Sequence, residues 1–224
     1  MTAATAPAGL IGVLGGTFNP IHNGHLRSAV ELLEQLDLER LHLMPCALPP
    51  HRAAPRCPAA RRADMVALAV AGEPRLCCDR RELGRAGPSY TVDSLAELRA
   101  EYGPRPGLCL VMGCDALLGL PRWHRWQELL NYAHIVVIAR PGWALPGRGE
   151  LKDWLDRHRL QSAVQLRRAP AGGVLLLELS QLAISSTGIR ALRQAGRSAR
   201  YLLPDSVLDY IERHQLYTDA ADTD

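Results

Sequence analysis

The sequence predicts an α/β protein built on a doubly wound, mostly parallel sheet with helices on both faces. Three observations lead there. Short apolar runs alternate with amphipathic helical segments along the chain. The first apolar run ends in glycines and is followed, across a short loop, by an amphipathic helix from about Gly24. The 224 residues suffice for one large domain of this kind. A single domain over 1–224 is therefore expected, with its ordered core from about residue 10 to 217 and the C-terminal helices included.

The elements follow in order. "LIGVLGG" reads as a buried first strand, and a helix from about Gly24 places Leu26, Ala29, Val30, Leu33 and Leu36 on one face. "RLHLMPC" is a second strand, followed by the loop "ALPPHRAAPRCP" and a helix at "AARRADMVALAVAG". "RLCCDR" is a third strand. "PSYTVDSLAELRAEYG" opens a helix with Thr91 as its cap, and Gly103 followed by Pro104 closes it. "GLCLVMG", "HIVVIAR" and "GGVLLLEL" complete the strands. Helices are expected at "ELKDWLDRHRL", "TGIRALRQAG" and, after Pro204, "DSVLDYIERHQL".

Composition narrows the function. A net charge of +3 suits small anionic ligands and lacks the dense basic stripe of a nucleic-acid binder. The positive charge is nearly all arginine, with Lys152 the sole lysine. The six cysteines show no paired CxxC spacing, which speaks against zinc. No basic, apolar leader opens the chain, and no run approaches the roughly 20 apolar residues of a membrane span. A reduced, cytoplasmic protein without a membrane or nucleic-acid partner is the expectation.

In doubly wound sheets, ligands bind beyond the carboxyl ends of the strands, where strand order reverses. In the usual order that place lies between strands one and four. "GGTFNPIHNGH" follows strand one, and "GCDALL" with Asp115 follows strand four. Neither GxxxxGK[ST] nor GxGxxG is present at the first turn. Gly15 and Gly16 let a ligand approach the backbone, and Gly24 keeps the first helical turn clear of a side chain. His22 and His25, three residues apart, share one face of a helix whose positive end favours an anion. A metal-ligand pair is the alternative, although no third ligand accompanies it at a convincing spacing. Downstream, "ISSTGIR" sets hydroxyls ahead of a helix whose first turn carries Arg190. Ser186 or Thr187 is either an ordinary N-cap or, with Arg190, part of a second phosphate cradle.

"GGTFNPIHNGH" together with "ISSTGIR" resembles the nucleotidylyltransferase superfamily, with its HxGH and ISSTxIR signatures. Within it, the chain is similar to bacterial nicotinate-nucleotide adenylyltransferases over nearly its whole length. "LPPHR", "GPSYTVDSL", "GCDALLGLPRWHRWQELL", "IVVIARPG" and "LLPDSVLDYIERHQLY" carry that likeness. The resemblance implies a Rossmann-like sheet of the nucleotidylyltransferase type. The implied reaction is adenylyl transfer from ATP to nicotinate mononucleotide, giving nicotinate adenine dinucleotide and pyrophosphate.

The same resemblance implies residue roles. ATP would lie across Gly15, Gly16 and Thr17, with His22 and His25 near its α-phosphate and Ile184 and Ser185 near adenine. Ser186, Thr187, Arg190 and Arg52 would hold phosphates. Asp115 would either accept from a ribose hydroxyl or cap a helix. Thr91 would meet the nicotinate carboxylate or serve only as a cap. Trp123 would stack on the pyridine ring or act as a core or lid aromatic. Arg140 would meet the mononucleotide phosphate. His124 joins this set, standing where several relatives carry tyrosine. Mg²⁺ would arrive with ATP, held by phosphate oxygens rather than by protein. The chain is expected to act as a monomer or homo-oligomer. A nicotinamide-preferring or phosphopantetheine adenylyltransferase and a non-catalytic nucleotide sensor are the competing readings.

Overall fold

The computed structural model describes residues 9–48, 55–139, 148–180 and 182–218. Six strands form one sheet: β1 (Leu10–Gly16), β2 (Leu38–Pro45), β3 (Leu76–Cys78), β4 (Gly107–Gly113), β5 (His134–Ala139) and β6 (Val174–Glu178). Their order is β3-β2-β1-β4-β5-β6, so strand order reverses between the neighbours β1 and β4, as the doubly wound pattern requires. β2–β3, β4–β5 and β5–β6 pair in parallel. The helices are α1 (Asn23–Gln35), α2 (Ala59–Val70), α3 (Thr91–Tyr102), α4 (Cys114–Gly119), α5 (Leu129–Tyr132), α6 (Glu150–His158), α7 (Ser186–Gln194) and α8 (Asp205–Arg213). The short helices α4 and α5 fall between β4 and β5, where the residue pattern predicts no separate helix. Among the described residues, no helix is long and apolar enough to cross a membrane.

The chain divides into two compact units. The first comprises Met1–Val13, Leu33–Arg40 and Tyr90–Leu179. Its strands are buried on both faces, as parallel interior strands are: Leu108, Cys109, Leu110, Val111 and Met112 in β4, and Ile135, Val136 and Val137 in β5. Arg99 on α3 staples loop carbonyls around them, donating to the oxygens of Tyr132, Gly103, Pro106 and Pro170. Gly103 ends α3 at φ 74°, a left-handed conformation that favours glycine.

The second unit comprises Leu14–Leu32, Leu41–Ser89 and Ser180–Asp224. β2 and β3 run in register with His42 beside Cys77. His42 and Asp79 form a buried pair at 2.9 Å, and Arg81 donates to the same carboxylate. α2 turns Ala63, Met65, Val66 and Val70 inward together with one arginine, Arg62.

Three local expectations change. In α1 the fully buried apolar positions are Ala29, Leu32 and Leu33, with Leu36 buried just past its end, whereas Leu26 and Val30 are only half-buried. Tyr90 rather than Thr91 caps α3, and Thr91 is already its first helical residue with no side-chain cap bond. Ser185 rather than Ser186 or Thr187 caps α7, its Oγ accepting from the Gly188 N–H at 3.1 Å. Each cap lies one or two residues upstream because the backbone enters its helix earlier than the hydroxyl pattern suggests.

Candidate active site

In the second unit, β1 ends at Gly15 and Gly16. A Cβ on Gly15 would meet no atom within 4 Å, whereas one on Gly16 would come 3.0 Å from the Phe18 ring. Phe18 is buried and holds φ 48°, a strained value for a bulky residue and typical of places where backbone geometry serves a function. Its ring meets His25 edge-on at 5.1 Å. The Asn19–Pro20 peptide is cis.

His22 and His25 stack, with ring centroids 3.7 Å apart and planes at 27°. The backbone N–H of His22 donates to His25 Nδ1 at 3.3 Å, which leaves the His25 proton on Nε2. Nδ1 of His22 is buried with no hydrogen-bond partner among the described residues. Burial pushes the His22 pKa down to about 4. Burial, reinforced by the adjacent His22, pushes His25 down to about 3. Both rings are therefore neutral at pH 7 and present one donor and one acceptor nitrogen each.

The downstream signature closes on this loop. Ser186 Oγ donates to the Pro20 carbonyl at 2.9 Å, and Arg190 Nη1 donates to the Asn19 carbonyl at 2.9 Å. Arg190 is 6 % exposed, and its Nε has no partner among the described residues. Ile184 packs against the first turn of α1, 3.7 Å from where a Gly24 Cβ would stand. Ser185 and Thr187 are exposed. The Asn23 N–H and side-chain amide donate to the carbonyls of Leu202 and Tyr201. The signatures around His22 and Arg190 are thus one hydrogen-bonded assembly.

The first unit carries the other candidates. Asp115 is exposed in the first turn of α4, directly after β4, where Gly113 and not Asp115 is the cap. Thr91 opens α3, and Trp123 is half-buried after a 3-10 turn at Leu120–Arg122. His124 is exposed and lies on Tyr90, with ring centroids 4.2 Å apart, which brings it beside Thr91. Arg52 and Arg140 lie outside the described residues.

Four participants escaped the sequence reading. Tyr217 Oη donates to Asn19 Oδ1 at 2.8 Å. Arg62 Nη1 donates to the Thr17 carbonyl at 2.6 Å. Ser89 accepts from the backbone N–H groups of Ala47 and Leu48. For Arg62 a signal existed, because it falls on the apolar stripe of α2 with Met65 and Val66. Asn19, Tyr217 and Ser89 gave no comparable signal.

A doubly wound sheet whose first strand leads into HxGH, with the loop just before it hydrogen-bonded to ISSTGIR, defines a nucleotidylyltransferase. The cytidylyltransferase-like family model matches residues 13–192. A "Probable nicotinate-nucleotide adenylyltransferase" of Cellvibrio japonicus is 50% identical over 207 residues, covering 92% of this chain and 98% of its own. A relative of the same name from Aeromonas hydrophila is 50% identical over 210 residues, covering 94% and 98%. The chain belongs to the nicotinate-nucleotide adenylyltransferase family. Its fold also matches the Plasmodium falciparum nicotinic acid mononucleotide adenylyltransferase complexed with NaAD. That match has a TM-score of 0.68 at 15% identity and covers 93% of this chain and 97% of the other.

Proposed function

We propose that the protein transfers the adenylyl group of ATP to nicotinate mononucleotide, releasing pyrophosphate and nicotinate adenine dinucleotide. The carrying observation is the pair of neutral, stacked imidazoles pinned beside the glycine-ended first strand. A phosphate oxygen of the mononucleotide attacks the α-phosphorus in line. The new O–P bond forms as the bond to the β-phosphate oxygen breaks, and pyrophosphate leaves with those electrons. The attacking phosphate is already ionised, so no protein nucleophile is needed and catalysis reduces to positioning and charge stabilisation.

On this reading His22 and His25 donate to the α-phosphate oxygens as charge builds there, and Arg190 adds fixed positive charge behind them. Gly15, Gly16 and Thr17 line the ATP path, with Ile184 and Ser185 at the adenine. Ser186, Thr187 and Arg52 serve the phosphates, and Asp115 serves a ribose hydroxyl. Ser186 and Arg190 give one donor each to the loop carbonyls, so both also hold the histidines in place. Magnesium would enter with the ATP substrate, held by its phosphate oxygens, and would supply charge neutralisation for the pyrophosphate leaving group. The single domain over 1–224 is part of the same proposal.

Thr91 and the opening of α3 receive the nicotinate carboxylate, an acceptor-only group that suits helix-end donors. A nicotinamide would turn its own N–H₂ toward at least one of them. Trp123 stacks on the cationic pyridinium, His124 borders it, and Arg140 meets the mononucleotide phosphate. A pyrophosphate-release assay with Mg·ATP and the two mononucleotides side by side tests the reading. Faster turnover of nicotinate mononucleotide is expected. Preference for the amide, or for phosphopantetheine, reassigns the substrate, and no release with any acceptor returns the chain to a nucleotide sensor.

A further inference from the structure

Arg62 is 1 % exposed, yet its guanidinium faces backbone carbonyls from three separate stretches. Nη1 donates to Thr17 O at 2.6 Å, Nη2 to Cys46 O at 2.7 Å and Ala47 O at 3.4 Å, and Nε to Cys57 O at 3.2 Å. A planar fork can serve these divergent acceptors at once, whereas an ammonium, with its donors on a single nitrogen, cannot. Cys46 itself donates its N–H to Gly16 O at 2.9 Å, so the turn after β2 is bound directly to the end of β1.

The same turn is gripped again further along. Ser89 Oγ accepts from the N–H groups of Ala47 and Leu48 at 3.2 and 3.3 Å, and the Ser89 N–H donates to Leu48 O at 3.0 Å. One residue, Tyr90, separates Ser89 from Thr91. Residues 46–48 thus connect, through two buried polar groups, the end of the glycine-ended strand and Ser89.

We propose that Arg62 and Ser89 are positioning residues for adenylyl transfer, which clamp the turn at residues 46–48 so that Thr17 and the Ser89–Thr91 stretch keep their reactive geometry. This rests on the reaction assigned above, in which Thr17 serves ATP and Thr91 serves nicotinate. Neither side chain touches a reacting atom. Their effect passes through backbone placement, where a shift of about 1 Å costs up to ~100-fold in rate.

The test is steady-state kinetics on Arg62→Lys, Arg62→Met and Ser89→Ala, with circular dichroism at the assay temperature fixing the folded fraction. Per folded molecule, kcat of both Arg62 variants should fall tenfold or more with a raised KM for ATP, and lysine should not rescue. Ser89→Ala should raise KM for nicotinate mononucleotide several-fold. A purely structural role would lower the melting temperature and leave kcat and both KM values of the folded fraction unchanged. That result, or full activity in Arg62→Lys, overturns the proposal. If both Arg62 variants fail to fold, Ser89→Ala decides, and wild-type constants there overturn the proposal. A wild type that releases no pyrophosphate withdraws the assigned reaction and this proposal with it. An active wild type with unaffected variants withdraws the proposal alone.

Discussion

His22 lies over Gly24 so closely that a Cβ on the glycine would fall 3.0 Å from Nδ1 and 3.1 Å from Cε1 of the imidazole. Alanine favours a helix over glycine by about 1 kcal/mol in an interior position, so Gly24→Ala carries no helical penalty of its own. It should instead push His22 off its place. Turnover should drop by roughly 10- to 100-fold while the melting temperature stays within a few degrees of wild type. Full activity in this variant would mean that His22 need not occupy the position it holds here.

His22→Ala and His25→Ala should each reduce kcat by ~100- to 1000-fold, the usual loss for one transition-state donor. Circular dichroism should remain native, because the surrounding loop keeps its bonds to Ser186 and Arg190. A mutant that turns over normally would remove that histidine from the mechanism.

Proton linkage offers an independent check. Both rings are neutral in the free protein at pH 7, with pKa values near 4 and 3. A polyphosphate beside them favours the charged forms and moves both values up. ATP binding at about pH 5 should therefore take up protons, and at about pH 8 it should not. Calorimetry in two buffers of different ionisation enthalpy measures this directly. Stability follows a matching rule. Between about 6.5 and 4 the unfolded chain binds more protons than the folded one, so these histidines destabilise the free protein as pH falls through that window.

The buried pair His42–Asp79 has the opposite sign. Burial alone would lower the His42 pKa, but hydrogen bonds to Asp79 and Cys77 outweigh it and raise the value to about 9. Burial likewise works against Asp79, whose bonds to His42 and Arg81 prevail and hold its carboxyl below the usual range. The histidine contribution is fully present below about 6.5 and is lost as pH climbs through about 9. The wild-type melting temperature should fall across that interval more steeply than that of His42→Gln. Parallel curves would show that the imidazole is uncharged in the fold.

What the sequence made legible was local. HxGH, ISSTGIR and the alternation of strand and helix are written in neighbouring residues, and the parallel, doubly wound sheet follows from that alternation. What the donors bond to was not legible, because the partners are chosen by tertiary packing. Ser186 reaches Pro20 across 166 positions and Arg190 reaches Asn19 across 171. Both were read as facing phosphate, yet both also hold the loop that carries the histidines. Arg62 shares the buried stripe of α2 with Met65 and Val66, but its carbonyl partners lie on other stretches of the chain. The caps at Tyr90 and Ser185 were missed because a hydroxyl side chain marks a helix start only to within a residue or two.

The hydrogen bond from Tyr217 to Asn19 has a consequence for how the protein is made. A ribosome delivers the histidine loop well ahead of its tyrosine anchor, which follows Asn19 by 198 positions. Translation that halts before Tyr217 leaves a fragment whose signature motifs are intact but whose histidine loop lacks that tether.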